Sequence, residues 1–246
     1  MRYFKQVLAG VVLAGGAAIA GAAPITNSIA DFSSTQSSNG WSYGYFNAGA
    51  APGASYSTAA FVAFDTYSAI DTRWEASVAQ VGAQNNVYLS LDANGGHPNG
   101  IGPDAQDSII WAVRRYTSSS AGLFDLGYLL RKRNISNPNG GGITGHIFVD
   151  GVELLDQFIA NLDGVGVQDI LTVSLNAGSF IDLAIDPTGL ATQRDPSIHA
   201  ARADGTDFSA TLSVHTTALP EPGTLALVLA ALAGLSLTGL SARRRV

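Results

Sequence analysis

Apolar and polar residues alternate in short runs through the middle of the chain, while long and almost wholly apolar runs occur only at its two ends. Alternation with a period of two puts successive side chains on opposite faces of a strand. The runs are "AAFVAFDTY", "NVYLSL", "IIWAVRRY", "GLFDLGYLL", "GHIFVDG", "ILTVSL", "SFIDLAI" and "DFSATLSV", separated by clusters of Gly, Asn, Asp and Pro. No run outside the ends keeps a helical period. Short strands with frequent turn signals predict an all-β chain, an antiparallel β-sandwich of jelly-roll type.

Two hairpins are predicted. In "GHIFVDGVELLDQFI", Ile147 and Val149 alternate with polar neighbours, Asp150-Gly151 makes a tight turn, and Val152 to Ile159 return. In "QDILTVSLNAGSFIDLAIDP", Leu171, Val173 and Leu175 share one face, with Asn176-Ala177-Gly178 as the turn. Ile181, Leu183 and Ile185 come back on that same face.

The ends read as processing signals. Residues 1–22 carry Arg2 and Lys5, an apolar run from Val7 to Ile19, and Ala20-Gly21-Ala22 as a small-x-small cleavage site. The run is short and rich in Gly and Ala, which favours a cleaved secretory signal over an anchor. Residues 23–218 form the exported domain, and 219–246 a tail. Within the tail, 224–242 is uncharged and as a helix would span ~28 Å, about the thickness of a bilayer core. Arg243, Arg244 and Arg245 follow and would stay on the cytoplasmic side.

Pro220-Glu221-Pro222-Gly223 precedes the apolar segment. Two prolines keep it out of helix and sheet alike, leaving an accessible, extended stretch. This order of Pro-Glu-Pro motif, apolar helix and basic end resembles the PEP-CTERM sorting tails of Gram-negative bacteria. The resemblance implies an exosortase-type processing enzyme as partner, with Pro220, Glu221 and Pro222 recognised and Arg243, Arg244 and Arg245 as the basic end. It also implies a transient stay in the inner membrane, then the cell envelope or the extracellular space. Over about residues 31–214, "NGWSYGYF", "AVRRY", "IFVDG", "LNAGSFIDLAIDP" and "TDFSATL" are similar to exported bacterial jelly-roll and carbohydrate-binding-like domains. The chain departs from that pattern at Gly140-Gly141-Gly142-Ile143, and it carries an insertion, "TGLATQRDPSIHAARADG", after Pro187.

Charge narrows the possible partners. Residues 24–218 hold 8 Lys and Arg against 18 Asp and Glu, a net charge of −10. That argues against nucleic acid and against anionic lipid head groups, which need a basic surface. Without cysteine there is neither disulfide nor thiolate chemistry.

Trp41, Tyr43 and Tyr45 alternate on one strand face, and such a row either stacks on sugar rings or forms one side of a core. The four histidines, at 97, 146, 199 and 215, show no metal spacing, so no metal site is expected. Calcium is weighed at Asp92, Asn94, Asp104 and Asp107, and at Asp186 with Asp204 or Asp207. Turn formation explains these Asp and Asn residues equally. Glu75 and Glu153 could nominally serve a glycoside hydrolase, but Glu153 sits beside a turn. The reading is therefore a non-enzymatic exported protein that contacts extracellular polysaccharide. A polysaccharide hydrolase and a purely structural or adhesive surface protein are the alternatives.

Overall fold

The computed structural model describes residues 24–49, 55–86, 88–101, 107–138, 140–188 and 204–216. The first strands are β1 (Pro24–Asn27), β2 (Trp41–Gly49), β3 (Val62–Ala63), β4 (Thr66–Ser68) and β5 (Arg73–Glu75). β6 (Ser90–Leu91), β7 (Gly95–His97), β8 (Ile109–Thr117) and β9 (Gly122–Lys132) follow. β10 (Ile143–Val149), β11 (Val152–Ile159), β12 (Val167–Leu175), β13 (Phe180–Asp186) and β14 (Thr206–Val214) complete the set. Among the described residues helix is confined to a 3-10 turn, Thr58–Ala60, and one α-helical turn, Val78–Val81. Among the described residues no helix is long and apolar enough to cross a membrane. The signal at 1–22 and the tail residues Pro220, Glu221, Pro222, Arg243, Arg244 and Arg245, with segment 224–242, lie outside the described residues.

Two antiparallel sheets face each other. One runs β12-β9-β14-β7-β6-β5-β4, with β1 also paired to β14; the other runs β11-β10-β13-β8-β2-β3. The alternation of β9 shows why they stack. Phe124, Leu126, Tyr128 and Leu130 point inward and are buried, while the residues between them are half-buried or exposed. Opposite them sit Ile143, Ile147, Ile181, Leu183 and Ile185 in one continuous core. Gly145 is where β10 comes closest to the other sheet: an added Cβ would lie 2.3 Å from Leu130 Cδ2.

The hairpin at Asp150-Gly151 forms as expected, with Val149 opposite Val152 and both turn residues at positive φ. The second expected hairpin does not form. β12 pairs only with β9, and β13 pairs with β10 and β8 in the other sheet. The Asn176-Ala177-Gly178 segment therefore crosses between sheets. Leu175 and Ile181 do share the core, but from opposite walls. A common apolar face is what both arrangements demand, so alternation could not separate them.

β8 is buried along both faces. Its outer face is covered by a second apolar cluster of Phe46, Tyr56, Ile109, Trp111, Val113, Phe148 and Ala184. Tyr56 comes from the segment before the 3-10 turn and stacks over Trp111, 6.3 Å between ring centres.

Candidate functional site

The aromatic row of β2 is core, contrary to its reading as a sugar platform. Trp41, Tyr43 and Tyr45 are 2, 0 and 6 % exposed. The Trp41 indole N–H donates to Thr26 Oγ1 at 2.7 Å, Tyr43 stacks on Trp74, and Tyr45 stacks on Phe64. No face of this row is open to a ligand. Inward-pointing residues of a sandwich strand meet the other sheet, and here the odd-numbered face of β2 is the inner one.

In the basic clusters Arg114-Arg115 and Arg131-Lys132-Arg133, every member but Arg114 meets a carboxylate of the same domain. Arg115 donates from Nε to Asp182 Oδ1 at 2.7 Å and from Nη2 to Asp182 Oδ2 at 2.9 Å. Tyr56 Oη donates to the same carboxylate at 2.7 Å. Burial and Asp182 together hold the Tyr56 phenol far above its usual range. Arg114 points the other way, into the core, and donates through Nη1 and Nη2 to the carbonyl oxygens of Ser28, Ala93 and Asp92, while its buried Nε has no hydrogen-bond partner. Burial lowers its pKa to about 10. Lys132 meets Asp204 at 2.8 Å with both side chains fully enclosed. Burial and Asp186 push the Asp204 carboxyl up to about 6 against the pull of Lys132.

Beside this pair lies a cleft of about 610 Å³ lined by Tyr88, His97, Arg133, Asn134, Ile135, Ser136 and Gly205. The Tyr88 ring lies over the His97 imidazole, 5.1 Å between centres and tilted by 32°. His97 is held through Nδ1 against Pro98 O at 2.7 Å, and its Nε2 accepts the Asp204 N–H at 3.2 Å. With both nitrogens committed, the ring must stay neutral; burial and then Lys132, Arg133 and Arg73 push its pKa down to about 4. Arg133 is clamped by Asp92 through Nη1 and Nη2 (2.6 and 3.0 Å) and by Asp207 through Nε (2.8 Å). Asn134 Oδ1 receives the Ser136 backbone N–H and hydroxyl. The cleft thus offers a flat ring and fixed polar groups with no net positive charge.

A second groove of about 650 Å³ runs over Gly127, between Ile170 and Thr211, on the outer face of this same sheet. Its one aromatic side chain, Tyr128, is buried. It lacks a ring for stacking.

The loops weighed for calcium hold other partners. Asp92 Oδ1 caps the N–H groups of Asn94 and Gly95, the turn geometry expected of it, and the same carboxylate binds Arg133. Asp107 pairs with Asn85, and Asp104 lies outside the described residues. Asp186 accepts Thr188 N–H and Oγ1–H, Asp204 binds Lys132, and Asp207 binds Arg131 and Arg133. Of the nominal hydrolytic pair, Glu75 binds Arg73 and Glu153 binds His146.

Tyr88 was legible as the aromatic residue on the polar side of "NVYLSL", since Leu89 and Leu91 alternate with it and are buried. Nothing local in the sequence brings Arg133 to the same cleft, because that placement depends on β14 lying between β9 and β7.

No family model matches the chain, and no curated protein matches it. Among solved structures it is similar to CBM51 from Clostridium perfringens GH95 in complex with methyl-galactose. That match has 12% identity and a TM-score of 0.29, over 49% of this chain and 81% of that one. It is also similar to a family 35 carbohydrate binding module from Clostridium thermocellum, with 10% identity and a TM-score of 0.27 over 44% and 72% of the two chains. A β-glucosidase from Kluyveromyces marxianus in complex with glucose aligns at 9% identity and a TM-score of 0.31, over 74% of this chain and 17% of that one.

Proposed function

We propose that this chain is an exported, non-catalytic protein of the cell envelope or extracellular matrix. Its sandwich, of jelly-roll type, binds neutral polysaccharide in the cleft between Tyr88 and Arg133. It reaches that location through its PEP-CTERM-like tail, processed by an exosortase-type enzyme at Pro220-Glu221-Pro222. The observation that carries the binding reading is the Tyr88 ring beside a guanidinium already held by two carboxylates. An aromatic face packs against the C–H side of a sugar, while Asn134, Ser136 and Arg133 supply groups for its hydroxyls. Because Asp92 and Asp207 cancel the charge of Arg133, the cleft favours a neutral polymer over an acidic one.

The test is affinity electrophoresis of the domain through gels containing soluble neutral polysaccharides, with Tyr88→Ala run alongside. At least one polymer is expected to retard the wild type. Loss of the ring should weaken retention about tenfold, the equivalent of one stacking contact of about 1.4 kcal/mol, with an unchanged melting temperature. Absence of retardation by every polymer, or equal retardation of the variant, refutes the cleft as a sugar site. Release of reducing ends during the same incubation would instead favour the hydrolase.

A further inference from the structure

On the outer face of the six-stranded sheet, His146 of β10 lies opposite Asp156 of β11. Glu153, opposite Phe148 next to the turn, also reaches the same ring. His146 Nδ1 sits 2.6 Å from Glu153 Oε1. One donor atom from each of His146, Glu153 and Asp156 lies within 4.8 Å of the other two. We infer that these three side chains form a binding site for a divalent transition-metal ion, with zinc the best-matched probe.

Four observations carry the inference, and none of them depends on the cleft at Tyr88. The donor set is one imidazole nitrogen and two carboxylates, which suits zinc and its neighbours; calcium takes oxygen ligands throughout. The ring is fixed before any ion arrives. His146 is 3 % exposed and lies parallel to the Trp111 indole, 4.6 Å between centres and 1° between planes. Its far nitrogen, Nε2, is buried without a hydrogen bond and faces Asp186 Oδ2 at 3.7 Å. A carboxylate behind the non-ligating nitrogen is the arrangement that orients a metal-binding histidine and raises its basicity. Finally, Glu153 and Asp156 are both exposed, so the side opposite the buried ring is open to solvent.

In this arrangement the cation takes the place of the proton between Nδ1 and Glu153. That proton leaves to solvent, and the remaining imidazole N–H, on Nε2, faces Asp186. Two carboxylates and a neutral imidazole match the charge of a divalent ion, and three protein ligands leave a further coordination position for water.

The experiment is a zinc titration of the chelator-treated full chain by calorimetry, with calcium as the comparison. Cobalt(II) quenching of tryptophan fluorescence provides an independent readout through Trp111. Glu153→Gln and Asp156→Asn are the variants, since both positions are exposed and neither substitution disturbs the core. One equivalent of zinc is expected, at least tenfold tighter than calcium. Each variant should weaken zinc at least tenfold and relieve the cobalt quenching. Failure to bind one equivalent of zinc, calcium binding as tight as zinc, or wild-type affinity and quenching in both variants would overturn the site.

Discussion

Arg114 and Arg115 are adjacent in β8, and strand geometry sends them to opposite faces. One donates to three carbonyls in the core and the other to Asp182 outside it. The opposition was legible in the sequence, and so was the chance of an acidic partner for one of them. Which acid, and the carbonyl cage around the other, depend on strands far away in the chain. His97 shows the same limit, since its partner Asp204 stands 107 residues along. Its pKa falls to about 4 in the fold, against an ordinary value of 6.5. The stability it contributes is therefore complete above about pH 6.5 and lost as the pH falls towards 4, up to about 3 kcal/mol. Asp204, raised to about 6, has the opposite sign over almost the same range. Wild-type stability alone would hide both. The measurement is the difference in urea unfolding free energy between wild type and His97→Gln, which can still accept the Asp204 N–H. That difference should shift in favour of the variant between pH 7 and pH 4.5, and a constant difference would show that His97 does not titrate on unfolding.

Among elements, the Asp150-Gly151 turn was predicted from two residues and forms. The bulge one step along was not legible, because Leu154 carries no local signal for it. That bulge decides what faces His146: an unbroken two-residue hairpin would set Leu155 opposite His146, and the extra residue puts Asp156 there instead. A search of the sequence for metal spacing therefore missed a cluster built across strands. The failed hairpin at 176–178 has another cause. Two strands that bury the same alternating face can pair, or can face each other across a core, and the sequence of the connection does not choose between them. The turn itself gives a clean measurement. Gly151 has φ of 85°, and a Cβ there would meet only Thr58 Cγ2, at an ordinary 3.7 Å. Gly151→Ala should thus cost conformational energy alone, about 1 kcal/mol, a few degrees in melting temperature. A loss above about 3 kcal/mol would mean that the hairpin register itself had changed.

At the scale of the molecule, the sandwich class was readable from strand length and alternation, whereas the placement of the described strands in two sheets was not. The second apolar layer over β8 also went unread, because Tyr56 reaches Trp111 from a segment with no strand pattern. Wild type and Glu221→Ala are compared by intact mass and cell fractionation: the wild type is expected to lose its tail near residue 222, and the variant to keep it and remain in the membrane fraction. Retention of full-length chain in both would leave the segment an ordinary anchor.

Pro24 pairs with Ser213, so the chain enters and leaves the sandwich at neighbouring points. Gly205, at the rim of the cleft, precedes the other end of β14, and the eight steps from Thr206 to Val214 cover ~27 Å. A body tethered through its last strand would carry the cleft on its far pole, as a lamp is carried on its post. Reach towards a surrounding polymer would then be set by the length of one strand, without any spacer.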